Sequence, residues 1–167
     1  MSNIDDVVSA ARSVLTRDIN LQALDYWNER RGDRMMPARA DLDPADLDHV
    51  LANIVLLDVR AEPLDFRYRL IGTAVMDHQN GNLAGQWMRD IPHQAPPSKI
   101  YGACRRAVEE RCPVSDKAPH LVAEEKIFSA ETVVMPLSVD GKTVNMLFLT
   151  VEYWNTDSYQ SSPRRDH

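Results

Sequence analysis

Thr143-Val144-Asn145-Met146-Leu147-Phe148-Leu149-Thr150-Val151-Glu152-Tyr153-Trp154 is the stretch on which the fold turns. Asn145, Leu147, Leu149, Val151 and Tyr153 alternate with Met146, Phe148, Thr150 and Glu152, and a period of two marks a β-strand. Both alternating sets are apolar for part of the length, so both sides are covered and the strand lies inside a sheet. Immediately upstream, Val114 to Val122 and Lys126 to Val139 read as two more strands. Asp140-Gly141 is a tight-hairpin signal that joins the second of these to the quoted strand.

Working outward, Pro96-Pro97-Ser98 introduces a helix with Ile100, Tyr101, Cys104, Ala107 and Val108 on one face and Arg105, Arg106, Glu109 and Glu110 on the other. Cys112-Pro113 ends it. Earlier still, Ile54 to Val59 is a compact apolar strand. Phe66 to Ile71 alternates Phe66, Tyr68 and Leu70 with Arg67 and Arg69, and a turn over Ala61 to Asp65 makes the two strands an antiparallel pair. From Gly72-Thr73 to Pro92 the chain reads as short helical pieces and loops, broken at Asn80-Gly81 and Gly85.

The first third is helical. Ile4, Val7, Val8, Ala11, Val14 and Leu15 recur at three and four, and Leu21, Leu24 and Trp27 continue at three until Arg30-Arg31-Gly32 closes the run. One helix or two fit this pattern, with Asp18 and Asn20 either solvated helix residues or an N-cap of the second piece. Arg34 to Leu42 is an extended connector. Asp43-Pro44-Ala45-Asp46 then starts a short helix, with an acceptor at the N-cap, proline at the first helical position and a carboxylate in the first turn. Asn155 to His167 is a polar, serine-rich tail. The order of elements predicts an α+β fold, an antiparallel sheet with helices packed on one face.

The chain has 167 residues, 44% of them hydrophobic and 26% charged, which is the balance of a single globular core. Collagen-like, disordered and disulfide-scaffold readings are excluded. Nineteen basic against 25 acidic side chains give a net charge of −6, which argues against nonspecific attraction to nucleic acid or to an anionic membrane surface. No apolar stretch approaches the ~20 residues of a membrane helix. Asp5 and Asp6 stand where a secretory leader carries positive charge, so a cytoplasmic location is expected. Cys104 and Cys112 lie eight residues apart in one predicted helix, about 12 Å along its axis. No disulfide spans that distance.

Two strands before a helical stretch and three after it make the chain resemble the PAS domain. The resemblance is carried by Tyr26-Trp27, Arg30-Arg31-Gly32-Asp33-Arg34, Pro37, Arg39, Asp41 and Asp43-Pro44, and by Phe66-Arg67-Tyr68-Arg69-Leu70-Ile71-Gly72-Thr73. Together these are similar to the signature of a bacterial family of stand-alone PAS-like proteins and span about Leu21 to Trp154. The resemblance implies a five-stranded antiparallel sheet with helices on one face, able to enclose a small pocket, and an N-terminal helical extension. It divides the chain into the extension at 1–31, the PAS-like domain at 32–154 and the tail at 155–167. It also implies a non-enzymatic sensory or regulatory module that binds a small ligand, a protein signalling partner, or both. With no kinase, cyclase or DNA-binding domain in the sequence, the output is expected to pass through a partner. A homodimer through the Ile4 to Leu15 face is expected as well.

Candidate pocket residues are Phe66, Tyr68, Met76, His78, Trp87, Tyr101, Phe128, Met135 and Phe148, all equally suited to a filled core. Tyr68 and Tyr101, whose hydroxyls need partners when buried, would mark the polar end of a cavity. Arg30, Arg31, Arg34 and Arg39 place four cations close together, suited to a phosphate, a cyclic dinucleotide or an acidic partner surface. The alternative is that they complement a helix end and tie the connector down. Asp41, Asp43, Asp46 and Asp48 with His49 are the candidate set for an enzyme using a hard metal ion, set against plain capping and a solvated face. His78, His93 and His120 are the histidines available to a haem, and Cys104 and Cys112 are small packing residues outside any flavin-attachment motif. No nucleophile elbow, Gly-rich phosphate loop or His-Glu-x-x-His pair is present, and the sequence names no cofactor.

Overall fold

Helix α1 (Ile4–Val14) starts on Asn3, whose side chain accepts from the Asp5 N–H, and ends one residue before Leu15 turns the backbone extended. Helix α2 (Asp18–Arg31) follows, so the leading segment is two helices with a joint at Leu15, Thr16 and Arg17. The computed structural model describes residues 3–79, 81–123 and 126–155, with backbone alone over 119–127. The predicted tail from 156 onward, Asn80 and the His120 side chain lie outside the described residues.

Arg17, not Asp18 or Asn20, is the N-cap of α2, and it offers no side-chain cap. Two carboxylates of the sheet take the orphan N–H groups instead. Glu131 accepts from the Thr16 and Arg17 N–H groups at 2.9 and 3.1 Å, and Glu152 accepts from the Ile19 N–H at 3.2 Å. Asn20 is fully buried, bonding the Glu131 carboxylate and carbonyl at 2.9 Å each and accepting from the Thr150 hydroxyl at 2.7 Å. An anion at a helix N-terminus is favoured by the helix dipole, so this joint is a docking point for the helix as well as a turn. At the other end, Gly32 has φ +60°, a conformation that suits glycine.

After a 3-10 turn at Arg39–Asp41, Asp43 caps a longer 3-10 helix, Pro44–Asn53, by accepting from the Ala45 N–H at 3.0 Å. Strands β1 (Ile54–Ala61) and β2 (Leu64–Ile71) form the first hairpin. Helix α3 (Thr73–His78), a 3-10 turn at Met88–Asp90 and helix α4 (Lys99–Glu110), capped by Ser98, occupy the middle of the chain. Strands β3 (Val114–Ala123), β4 (Lys126–Leu137) and β5 (Met146–Asn155) complete an antiparallel sheet in the order β2-β1-β5-β4-β3. The quoted strand is the central one.

Three sequence expectations change. Asp140-Gly141 does not make a two-residue turn, because β4 stops at Leu137 and β5 starts opposite it at Met146. The connection 138–145 is organised by Asp140, which accepts from the Thr143 and Lys142 N–H groups at 2.8 Å each and from the Ser138 hydroxyl at 2.9 Å. Those bonds, the Thr143 one foremost, hold its carboxyl down at about 2. In β2 the alternation breaks: Leu56 pairs with Leu70 but Leu57 pairs with Tyr68, leaving Arg69 as a bulge. Ile71 therefore turns inward and Leu70 is 43% exposed. Finally, helices cover both sheet faces. Glu131, Thr150 and Glu152 face the α1–α2 joint, whereas Ala130, Thr132, Val151 and Tyr153, one residue out of phase, face α3 and α4.

The signature residues hold this arrangement. Trp27 is fully buried and its indole N–H donates to the Pro136 carbonyl at 2.9 Å. A Cβ on Gly72 would lie 2.3 Å from the Ala52 carbonyl oxygen, so only glycine lets β2 pass the 3-10 helix there. The α1 face expected to dimerise is partly used within the chain, since Val8 and Leu15 are buried in the same core as the sheet while Val14 is 48% exposed.

Candidate functional site

Between the sheet and the α3–α4 segment lies a cavity of about 450 Å³. Its floor is Val55, Ala118, Ala130, Thr132, Leu149 and Val151, and its roof includes Val75 and Ile100. The two alanines leave space: Ala118 and Ala130 pair across β3 and β4, the strands on which α4 packs, and each presents only a methyl group.

Polar groups sit at three places around this apolar interior. At one end the Tyr68 hydroxyl donates to Gln94 Oε1 at 2.5 Å, and Gln94 Nε2 donates to Gln79 Oε1 at 3.1 Å. Burial pushes the Tyr68 phenol well above its usual range, so it remains a donor. In the middle, the His78 ring stacks on Tyr153 with centroids 3.8 Å apart and planes 4° from parallel, and meets the Phe128 ring at 4.8 Å and 64°. His78 Nδ1 lies 2.8 Å from the Ala74 carbonyl, which only accepts, so Nδ1 carries a proton and Nε2 is the ring nitrogen not engaged by that bond. Burial raises the Tyr153 phenol to about 12.

At the mouth, Asp116 faces Lys99 at 3.7 Å, with exposed His93 nearby on the rim. Burial raises the Asp116 carboxyl above the ordinary aspartate value, against the opposing pull of Lys99.

Of the nine residues proposed for the pocket, Tyr68, His78 and Phe128 line it. Phe66 and Tyr101 pack on each other edge to face at 5.5 Å instead. The Tyr101 hydroxyl donates to the Leu64 carbonyl at 2.8 Å and accepts from Arg89 at 3.1 Å, so Tyr101 does not mark a cavity end. Met76 is half-buried against the main core. Trp87 lies beside β2 under the guanidinium groups of Arg60 and Arg67, 4.4 and 5.3 Å from its ring. Met135 and Phe148 face the opposite side of the sheet, in phase with Glu131 and Thr150.

The four connector arginines do not converge on one point. Arg30 donates to the Asp41 carbonyl at 2.8 Å, Arg34 pairs with the Asp41 carboxylate at 2.9 Å, and Arg39 donates to the Leu42 carbonyl at 3.2 Å. Buried Arg31 pairs with Asp5 and donates to the Arg34 carbonyl at 2.9 Å. The acidic set is likewise dispersed: Asp41 also accepts from the Ala38 N–H, Asp43 caps, and Asp46 accepts from Tyr26. Among the described residues no three His, Cys, Asp or Glu side chains are placed to hold a metal ion. Burial raises the Cys104 and Cys112 thiols, which makes both poor nucleophiles.

Sequence reading missed Gln79, Gln94, Asp116, Thr132 and Tyr153. Thr132 and Tyr153 were accessible from the alternation of β4 and β5, once the face toward α4 was fixed. Gln79 and Gln94 sit after short helical turns and carry no sequence signal.

The PAS domain family profile matches residues 16–151. Comparison with curated proteins finds no match. Among solved structures, a light-oxygen-voltage domain studied with a flavin analogue is similar at a TM-score of 0.51 and 13% identity, over 70% of this chain and 87% of that one. The sensory box sensor histidine kinase from Vibrio cholerae is similar at a TM-score of 0.47 and 15% identity, over 66% and 88% of the two chains. At 13% identity the first of these likenesses speaks to the fold alone. The five-stranded order, the helices over the cavity and the match across most of the length agree, and the chain belongs to the PAS domain family.

Proposed function

We propose that this protein is a non-enzymatic sensory module that binds a small ligand between the sheet and α3–α4 and passes the occupied state to a protein partner. The observation that carries this reading is the cavity of about 450 Å³, apolar in its body with polar groups at its ends and mouth, within the size range of ligand sites. Thr132 on the cavity face and Glu131 on the helix face are consecutive in β4, so the ligand site and the helix attachment share one strand. Self-association through the remaining exposed part of α1, centred on Val14, is the companion proposal.

Native mass spectrometry of protein purified from its own host, with an absorption spectrum of the same sample, tests the reading. A defined added mass whose removal lowers thermal stability supports it. Apoprotein that gains no mass or stability from a metabolite extract of the same host counts against it and favours a docking module. A monomer at tens of micromolar removes the dimer proposal. No helix among the described residues is long and apolar enough to cross a membrane.

A further inference from the structure

We propose that the cavity takes a small ammonium compound with an apolar or aromatic body, its charged head on Asp116 and its body against the His78–Tyr153–Phe128 rings; this rests on the cavity being a ligand site. Asp116 is the anionic side chain among the cavity's described lining, on strand β3 at the mouth, and its side chain is only 17% exposed. It faces a tethered ammonium, Lys99 Nζ, at 3.7 Å, and also feels the charge of Arg106. Charge-assisted N–H to carboxylate bonds close to roughly 2.7–2.9 Å, so this contact is loose. Lys99 is itself 67% exposed, and its Nζ donates to the Lys117 carbonyl instead of closing on Asp116.

The interior groups fit the same chemistry. Tyr68, Gln94 and Gln79 satisfy one another in a chain, so that end asks little of a ligand. His78 Nδ1 is held by the Ala74 carbonyl, which leaves Nε2 as the ring nitrogen for a ligand. A ligand carrying N–H donors meets the Asp116 carboxylate at the mouth, whereas a second carboxylate would be repelled by it. Beyond the head group, the stacked His78 and Tyr153 rings with Phe128 at their edge offer aromatic surface for a body or for part of a cation.

The test measures calorimetric binding of 2-phenylethylamine, 2-phenylethanol and 3-phenylpropionate to the full chain near neutral pH. These probes share a body and differ in the head group. The expected result is an amine affinity at least about tenfold above that of either other probe, the scale of a charge-assisted bond in a partly dry site. Asp116→Asn should remove that advantage while leaving 2-phenylethanol within about twofold. Lys99→Met should raise amine affinity, by freeing the carboxylate, and it serves as the independent variant if Asp116→Asn folds poorly. If the alcohol or the acid binds as tightly as the amine, or Asp116→Asn or Lys99→Met leaves the amine unchanged, the assignment is overturned and the cavity stands as a site of other chemistry. If none of the three binds at millimolar concentration, the assignment also fails. Ala130→Leu then decides the broader reading, which falls too if filling the cavity alters neither stability in host extract nor bound mass.

Discussion

The two faces of one sheet are closed in opposite ways. Toward α2, Glu131 receives the Thr16 N–H and hydroxyl, the Arg17 N–H and the Asn20 amide, while Trp27 reaches the Pro136 carbonyl, and little space is left. Toward α3 and α4, alanines leave room, and the polar groups bond each other or wait at the mouth. Most residues that make the family recognisable belong to the sealed side, its connector and β2, and of them Tyr68 also lines the cavity; the other cavity residues lie outside the signature. The family signature here mostly reports how the fold is fastened, while most of the cavity wall lies outside it.

The contrast is broken if stability is spread evenly over both faces. Trp27→Ala should have the largest effect, about 3–5 kcal/mol in urea unfolding, because it removes a fully buried ring and strands a carbonyl. A cost below about 1 kcal/mol would mean the α2 face is not the sealed one.

Glu131→Gln should come next, at about 2 kcal/mol near neutral pH, since donors facing a buried carboxylate lose their charged acceptor. Burial tends to raise this carboxyl, but the bonds from Asn20, Thr16 and Arg17 together outweigh it and hold it below the ordinary 4.5. The unfolded chain then binds the proton more readily. The stabilisation is complete above 4.5 and is lost as pH falls through the lower folded value. Unfolding measured across that window should show a flatter pH dependence for the Gln variant than for wild type.

Ala130→Leu sharpens the other half of the comparison. A side chain entering the cavity should change stability by no more than about 1 kcal/mol while abolishing binding of any cavity ligand. A cost of several kcal/mol would show the open face to be packed after all. The smallest effect belongs to Arg39→Ala, within about 0.5 kcal/mol by the same unfolding assay, because its contact is a single bond at 3.2 Å from a half-buried side chain.

The sheet was legible because period-two patterning survives in a single chain: the two-sided apolarity of Met146–Val151 located the centre, and Asp43-Pro44 announced a capped helix. Three kinds of information were not local. Which alternate set faces which layer depends on where the helices dock, so one list of pocket-or-core candidates holds Tyr68 and Phe128, which line the cavity, together with Met135 and Phe148, which face the other side of the sheet. The bulge at Arg69 depends on pairing with β1, and the alternation before it gave no warning. Glu131 carries no local sign of its burial, because the joint that buries it is more than a hundred residues earlier in the chain.

The bulge also bears on how this sequence tolerates change in length. Arg69 inserts one position between Tyr68, which faces inward, and Gly72, where an added Cβ would stand 2.3 Å from the Ala52 oxygen. Removing that residue would restore strict alternation but advance the glycine out of its place and put Thr73 or Ile71 against the carbonyl. Adding one would do the same in the other direction. An edge strand is ordinarily a permissive place for insertions and deletions; between Tyr68 and Gly72 the count itself is the conserved quantity that a comparison of relatives should find.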